Sequence, residues 1–99
     1  MVTLQDIQAA RERIGDSVVT SRCAHSYAFS SLTSNQVSLK FENLQMTGSY
    51  KERGALNKIL TLTKEERDRG IVAASAGNHA QAVSHHSTLR GIKAQGRSG

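Results

Sequence analysis

Two short stretches of this chain carry residues that could do chemistry. The first is Glu42-Asn43-Leu44-Gln45-Met46-Thr47-Gly48-Ser49-Tyr50-Lys51-Glu52-Arg53-Gly54-Ala55, which places Lys51 in the first turn of an expected helix. Unpaired N–H groups and the positive end of the helix dipole make that a poor place for an ammonium and a good one for an anion. A lysine there makes chemical sense as an imine, or beside a phosphate-bearing ligand. The second stretch, Ser75-Ala76-Gly77-Asn78-His79-Ala80-Gln81, is a polar loop leading into another helix. Taken singly, each is also an ordinary helix start with a Ser or Asn cap. Neither fits a nucleotide-binding pattern, since there is no Gly-Lys-Ser ending and no Gly-x-Gly-x-x-Gly.

The elements that must position these stretches can be read from period and punctuation. Val37, Leu39 and Phe41 alternate with Ser38, Lys40 and Glu42, which predicts a strand over 37–42. Ser49 and Glu52 have the spacing of a capping box, so a helix is expected from Tyr50 to about Leu62, burying Ala55, Leu56, Ile59 and Leu60. Thr63-Lys64-Glu65-Glu66 is a second capping box, opening a short helix that Gly70 ends. Ile71 to Ala74 is an apolar run of strand length, as for a strand covered on both faces. The helix after the Asn78 loop should bury Ala80, Val83 and Leu89 and end at Gly91, with a strand resuming at Ile92-Lys93-Ala94. Strand, loop, helix and strand form a parallel βαβ unit, which places ligands at loops leaving the carboxyl ends of its strands. Upstream, Thr3 caps a cover helix over Leu4 to Ile14 that Gly15 stops, with Leu4, Ile7 and Ile14 along one side. Val18 and Val19 suggest a short extended piece, and Ser26 to Leu32 a short helix.

Composition bounds the rest. A chain of 99 residues makes one domain at most, and at this size folding buries only roughly 60 to 70% of the chain's surface. The 13 Lys+Arg against 8 Asp+Glu give a net charge of +5, but the positive residues are scattered and none of the four aromatics lies in a basic cluster. A solvated basic surface is expected rather than a nucleic-acid face; a small nucleic-acid binder is the third-ranked reading. Cys23 has no partner for an internal disulfide, which suits a reducing compartment and a buried small residue rather than a catalytic thiol. No apolar run approaches the roughly 18 residues of a membrane helix, and no signal-peptide segment opens the chain. A soluble, cytoplasmic protein is expected, without membrane partners. Of the histidines His25, His79, His85 and His86, the adjacent pair points to different helix faces, and no metal site is expected.

The two stretches together resemble the threonine dehydratase (threonine/serine ammonia-lyase) and serine racemase group of pyridoxal-phosphate enzymes, and the similarity runs from about Leu4 to Ala94. It implies an α/β fold, the truncated N-terminal part of a fold-type II, tryptophan synthase β-like enzyme built of parallel βαβ units. On this resemblance residues 1–99 are a single incomplete domain. Residues 1–42 hold the N-terminal helix and first strand, 43–94 the lysine helix and asparagine-loop unit, and 95–99 a tail outside the family pattern. The cofactor implied is pyridoxal 5'-phosphate. Lys51 would bind it covalently and later take the α-proton of L-threonine or L-serine, Tyr50 would pack against its ring, and Asn78 would bond its 3′-oxygen. Ser75, Ala76, Gly77, Asn78 and His79 would receive the substrate carboxylate. The reaction implied is α,β-elimination to a 2-oxo acid and ammonia, and full-length relatives are expected to be homo-oligomers.

Some positions depart from the family pattern. Tyr50 stands where phenylalanine is usual, Ser21-Arg22-Cys23 replaces a Thr-Pro-Leu turn, and Ala82 replaces a glycine. The glycine-rich phosphate loop and the group facing the pyridine nitrogen would lie downstream of Gly99. Two readings of different class follow: part of a threonine/serine ammonia-lyase, with a racemase outcome as a variant, or a non-catalytic remnant of that family. The isolated chain is expected to show no 2-oxo acid formation from threonine.

Overall fold

Thr3 opens the first helix with a reciprocal cap, its hydroxyl accepting from the Asp6 N–H while the Asp6 carboxylate accepts from the Thr3 N–H. Helix α1 then runs Leu4–Ile14 and stops at Gly15, as the sequence predicts. The computed structural model describes residues 1–74 and 77–96. Only Ile14 of α1 is buried; Leu4 and Ile7 remain exposed.

Strand β1, Cys23–His25, is followed by α2, Tyr27–Thr33, and β2, Ser38–Lys40. Ser26 caps α2, as expected for a short helix in this stretch, by accepting from the Phe29 N–H. The strand expected over 37–42 is shorter because a 3-10 turn begins at Glu42. The β1 and β2 strands pair antiparallel, Cys23 opposite Lys40 and His25 opposite Ser38. This antiparallel pair is separate from the expected parallel βαβ unit, which lies further along the chain. A short connection can join antiparallel neighbours, and the link is tightened where the Ser26 N–H donates to the Val37 carbonyl and the Val37 N–H to Ser30 Oγ.

The lysine helix α3 spans Lys51–Thr61, and α4 spans Lys64–Arg69 behind the Thr63–Glu66 capping box that the sequence predicts. Gly70 turns the chain from α4 into β3, Ile71–Ala73, with φ +85°. A Cβ there would lie 2.9 Å from the Lys93 carbonyl oxygen, so only glycine fits without displacing the neighbouring strand. Helix α5, Asn78–Leu89, crosses to β4, Ala94–Gly96, which pairs parallel with β3 in the register Ile71 to Ala94 and Ala73 to Gly96. This is the expected βαβ unit. Its second strand starts at Ala94 rather than Ile92, because the Ile92 N–H is still engaged by the Ser87 carbonyl.

Helix α3 is packed on two sides. Ala55 meets Ala73, Ala82 and Val83 of β3 and α5, and Leu56 meets Ile14 and Val18. Alanines at three of the four positions in the first cluster leave little side chain between the backbones, so α3, α5 and β3 come close together. Ala82, where the family pattern has glycine, is wholly buried in that cluster. Two expectations fail here. Val72 is 59% exposed, so β3 is covered on one face only, and Leu89 is 67% exposed where burial was expected. The buried side of α5 is instead Ala82, Val83, His86 and Ser87, a stripe that includes polar residues and that apolar periodicity does not reveal. The Cα radius of gyration is 16.0 Å, against about 13 Å for a compact domain of this length, and Tyr27, Phe29 and Leu32 on α2 stand exposed.

Leu56 is fully enclosed, and its replacement should show how far α1 and α3 depend on each other. Leu56→Ala is expected to cost about 2–5 kcal/mol, read as a lower urea midpoint with an unchanged slope.

Candidate functional site

The start of α3 is built by side chains on both sides of Lys51. The turn before it is closed by the Gly48 N–H donating to the Gln45 carbonyl at 2.9 Å, with Gly48 at φ +79°. The expected Ser49–Glu52 capping box is not formed. Ser49 Oγ accepts from the Lys51 N–H at 3.2 Å, Tyr50 occupies the cap position without a side-chain hydrogen bond, and Glu52 turns inward. There Glu52 Oε1 accepts from both the N–H and the hydroxyl of Thr47, at 3.0 and 2.9 Å. Two donors from Thr47 replace the single one that Ser49 could offer.

On the opposite flank the motif residues Glu42, Gln45 and Arg53 form a clasp. Buried Gln45 grips the main chain of Val19 at two points, accepting from its N–H at 2.8 Å and donating to its carbonyl at 2.6 Å. Val19 is therefore held extended by a side chain rather than by a partner strand. Glu42 accepts from Arg53 Nε, from Ser21 Oγ at 2.6 Å and from Gln45 Nε2 at 3.1 Å. The Arg53 guanidinium holds Glu42 down to a pKa of about 2, outweighing the opposing effect of burial, with Ser21 and Gln45 adding to the shift.

Between α3 and α5 lies a cleft of about 330 Å³ lined by Tyr50, Lys51, Gly54, Ala55 and His79. The sequence-predicted Lys51, Tyr50 and His79, from two stretches remote in sequence, thus share one cavity. Asn78 is the first residue of α5 and exposed beside His79, but it is not among the lining residues. Gly77 is the N-cap of α5. Ser75 and Ala76, expected to receive a carboxylate, lie outside the described residues. Among the described residues, neither a hydrogen bond nor an ion pair engages the Lys51 amine.

These residues fit an aromatic aldehyde bearing an anionic group. Lys51 offers a solvent-reachable amine, Gly54 and Ala55 leave a shallow floor, and Tyr50, 65% exposed, offers a ring face. A Cβ added at Gly54 would meet nothing within 4 Å, which shows open space above this turn. The first turn of α5 carries no acidic residue, so no carboxylate within it offsets the helix dipole. At about 330 Å³ the cleft lies at the small end of cofactor-sized cavities.

Sequence reading missed Gly54 and Ala55 as cleft floor, and buried Glu52 and His86 together with half-buried Thr47 as a polar group. The signal for His86 was its spacing from Ala82 and Val83, which puts all three on one helix face.

Comparison with known proteins agrees with the two stretches. A family model described as pyridoxal-phosphate dependent enzyme matches residues 16–95. The L-threonine ammonia-lyase of Thermotoga maritima is 50% identical over 94 residues, covering 95% of this chain and 23% of that protein. The catabolic L-threonine dehydratase of Escherichia coli is 44% identical over 91 residues, covering 92% of this chain and 28% of that protein. The crystal structure of serine racemase from Dictyostelium discoideum superposes with a TM-score of 0.85 at 41% identity, covering 94% of this chain and 31% of that one. The chain therefore spans less than a third of the length of each of these three proteins.

The clasp at Glu42 has a measurable pH signature. Its pKa in the fold lies below the usual 4.5, so its contribution is complete above about pH 4.5 and is lost as pH falls toward about 2. Glu42→Gln is expected to cost about 1–3 kcal/mol at neutral pH. Urea titrations of both proteins should show that deficit shrinking as pH falls through this window.

Proposed function

This chain belongs to the pyridoxal-phosphate dependent enzyme family, and from that membership we propose that it supplies the cofactor lysine and asparagine loop of a threonine/serine ammonia-lyase. The observation that carries the proposal is the single cleft shared by Lys51 and His79.

In this reading Lys51 would hold pyridoxal phosphate covalently through its amine, with Tyr50 as the residue beside its ring and Asn78 as a donor to its 3′-oxygen. When bound, the cofactor supplies an aldehyde and an electron-withdrawing ring that accepts the electron pair left when an amino acid loses its α-proton. Lys51 Nζ, once free, is the base placed to take that proton from L-threonine or L-serine. That role requires the amine to be neutral, and so to fall from the usual lysine pKa of about 10.4. The N-terminus of α5, with Gly77, Asn78 and His79 beside Ser75 and Ala76, takes the substrate carboxylate on backbone N–H groups. Hydroxide then leaves Cβ and, with the abstracted proton, departs as water; the amino-alkenoic acid left behind is hydrolysed by water to a 2-oxo acid and ammonia.

The 50% identity to a protein named L-threonine ammonia-lyase favours elimination. The likeness to a serine racemase structure favours a second outcome, in which Lys51 takes the α-proton and a proton is then delivered to the opposite face of Cα, with hydroxide not lost. A cytoplasmic, homo-oligomeric whole protein acting on small amino acids belongs to this reading. The scattered basic residues give no support to a nucleic-acid partner.

Pyridoxal phosphate added to the chain should produce an imine absorption band, and borohydride reduction followed by peptide mapping should place the label on Lys51 ahead of Lys40, Lys58, Lys64 and Lys93. Lys51→Ala should abolish the band. Equal labelling of all five lysines would overturn the proposal.

A further inference from the structure

Glu52 follows the lysine directly, yet its side chain leaves the cleft and is 0% exposed. A glutamate in the first turn can serve the helix dipole from the surface, so its complete burial needs another reason. Its two oxygens face two different elements. Oε1 takes both donors of Thr47, in the turn before the lysine. Oε2 lies 3.6 Å from Nε2 of His86, which is 1% exposed on α5. On the far side of the ring, His86 Nδ1 is 3.4 Å from Arg90 Nη1, which also donates to the His86 carbonyl at 3.0 Å.

Arginine can only donate, so Nδ1 is the accepting nitrogen and the ring proton sits on Nε2, toward Glu52. Burial holds the His86 pKa below its usual value against the pull of Glu52, and His85 and Arg90 push it the same way as burial. The imidazole is thus held toward its neutral form, with Nε2 turned to the carboxylate at 3.6 Å. Among the described residues neither Glu52 Oε2 nor His86 Nε2 has a hydrogen-bond partner, so their 3.6 Å approach is the polar contact that faces α3 to α5 here.

We propose that Glu52 is a positioning residue for Lys51, holding the Thr47–Ser49 turn on one side and α5 on the other so that the lysine and the N-terminus of α5 face one cleft. The inference rests on Lys51 being the cofactor-bearing lysine. It extends that reading to three residues, Thr47, Glu52 and His86, that lie outside the cleft lining. A residue that only stabilised the fold would change the unfolding midpoint without changing which lysine reacts. A positioning residue changes the selectivity of the folded chain.

The test measures the ratio of labelling rates at Lys51 and Lys58 with pyridoxal phosphate and borohydride, alongside the urea midpoint, for wild type, Glu52→Gln, Thr47→Val and Thr47→Ser. Glu52→Gln is expected to lower the ratio about tenfold, since small misplacements of a reacting group cost this much or more. Thr47→Val should lower it in the same direction, and Thr47→Ser, which keeps the hydroxyl, should preserve it. Where Glu52→Gln fails to fold, the Thr47 pair decides. Folded variants that all keep the wild-type ratio would overturn the positioning role while leaving Lys51 as the cofactor lysine. A wild-type chain without preference for Lys51 would overturn both.

Discussion

Lys51 stands where it does because the residues around it are tied down by two carboxylates. Glu52 draws the preceding turn inward through Thr47, and Glu42 holds Arg53 against the Val19 and Ser21 segment. The first turn of α3 is thereby fixed by the turn before it and by the segment before β1 at once. Paired charges of this kind lose much of their Coulomb gain to desolvation. Their more secure effect is geometric, since few other arrangements satisfy all of the donors.

Packing supplies the complementary constraint. Alanines at Ala55, Ala73 and Ala82 let α3, β3 and α5 approach closely, which brings the starts of the two helices to one cleft. Leu56 anchors the other side of α3 on Ile14 and Val18. The helix is therefore held along its length by apolar contacts and at its start by polar ones. An error in either would move the lysine relative to His79.

Much of this was legible in the sequence where local chemistry decides the outcome. Thr3 and Thr63 form the caps that their spacing implies, and the β3, α5 and β4 order follows from the apolar run, polar loop and Gly91. Of the described residues that the resemblance to pyridoxal-phosphate enzymes singled out, Lys51, Tyr50 and His79 line one cleft, whereas Gly77 and Asn78, at the start of α5, are not among its lining residues. What was not legible depends on contacts between distant residues. Ser49 and Glu52 have capping-box spacing, but Thr47 offers Glu52 two donors, so the local motif loses. Val19 looks like a strand residue and is held extended by the Gln45 side chain instead. His86 reads as one of four scattered histidines until α5 is placed against α3. The exposure of Val72 and Leu89 reflects which faces find a neighbour, which periodicity cannot supply.

The central claim is that one ligand touches two stretches separated in sequence. The most direct measurement is a backbone amide NMR titration of the chain with pyridoxal phosphate, following the resonances of Tyr50 and Lys51 together with those of Asn78 and His79. A shared site predicts that both groups shift over the same concentration range. Shifts confined to one group, with the other unmoved at saturation, would contradict it.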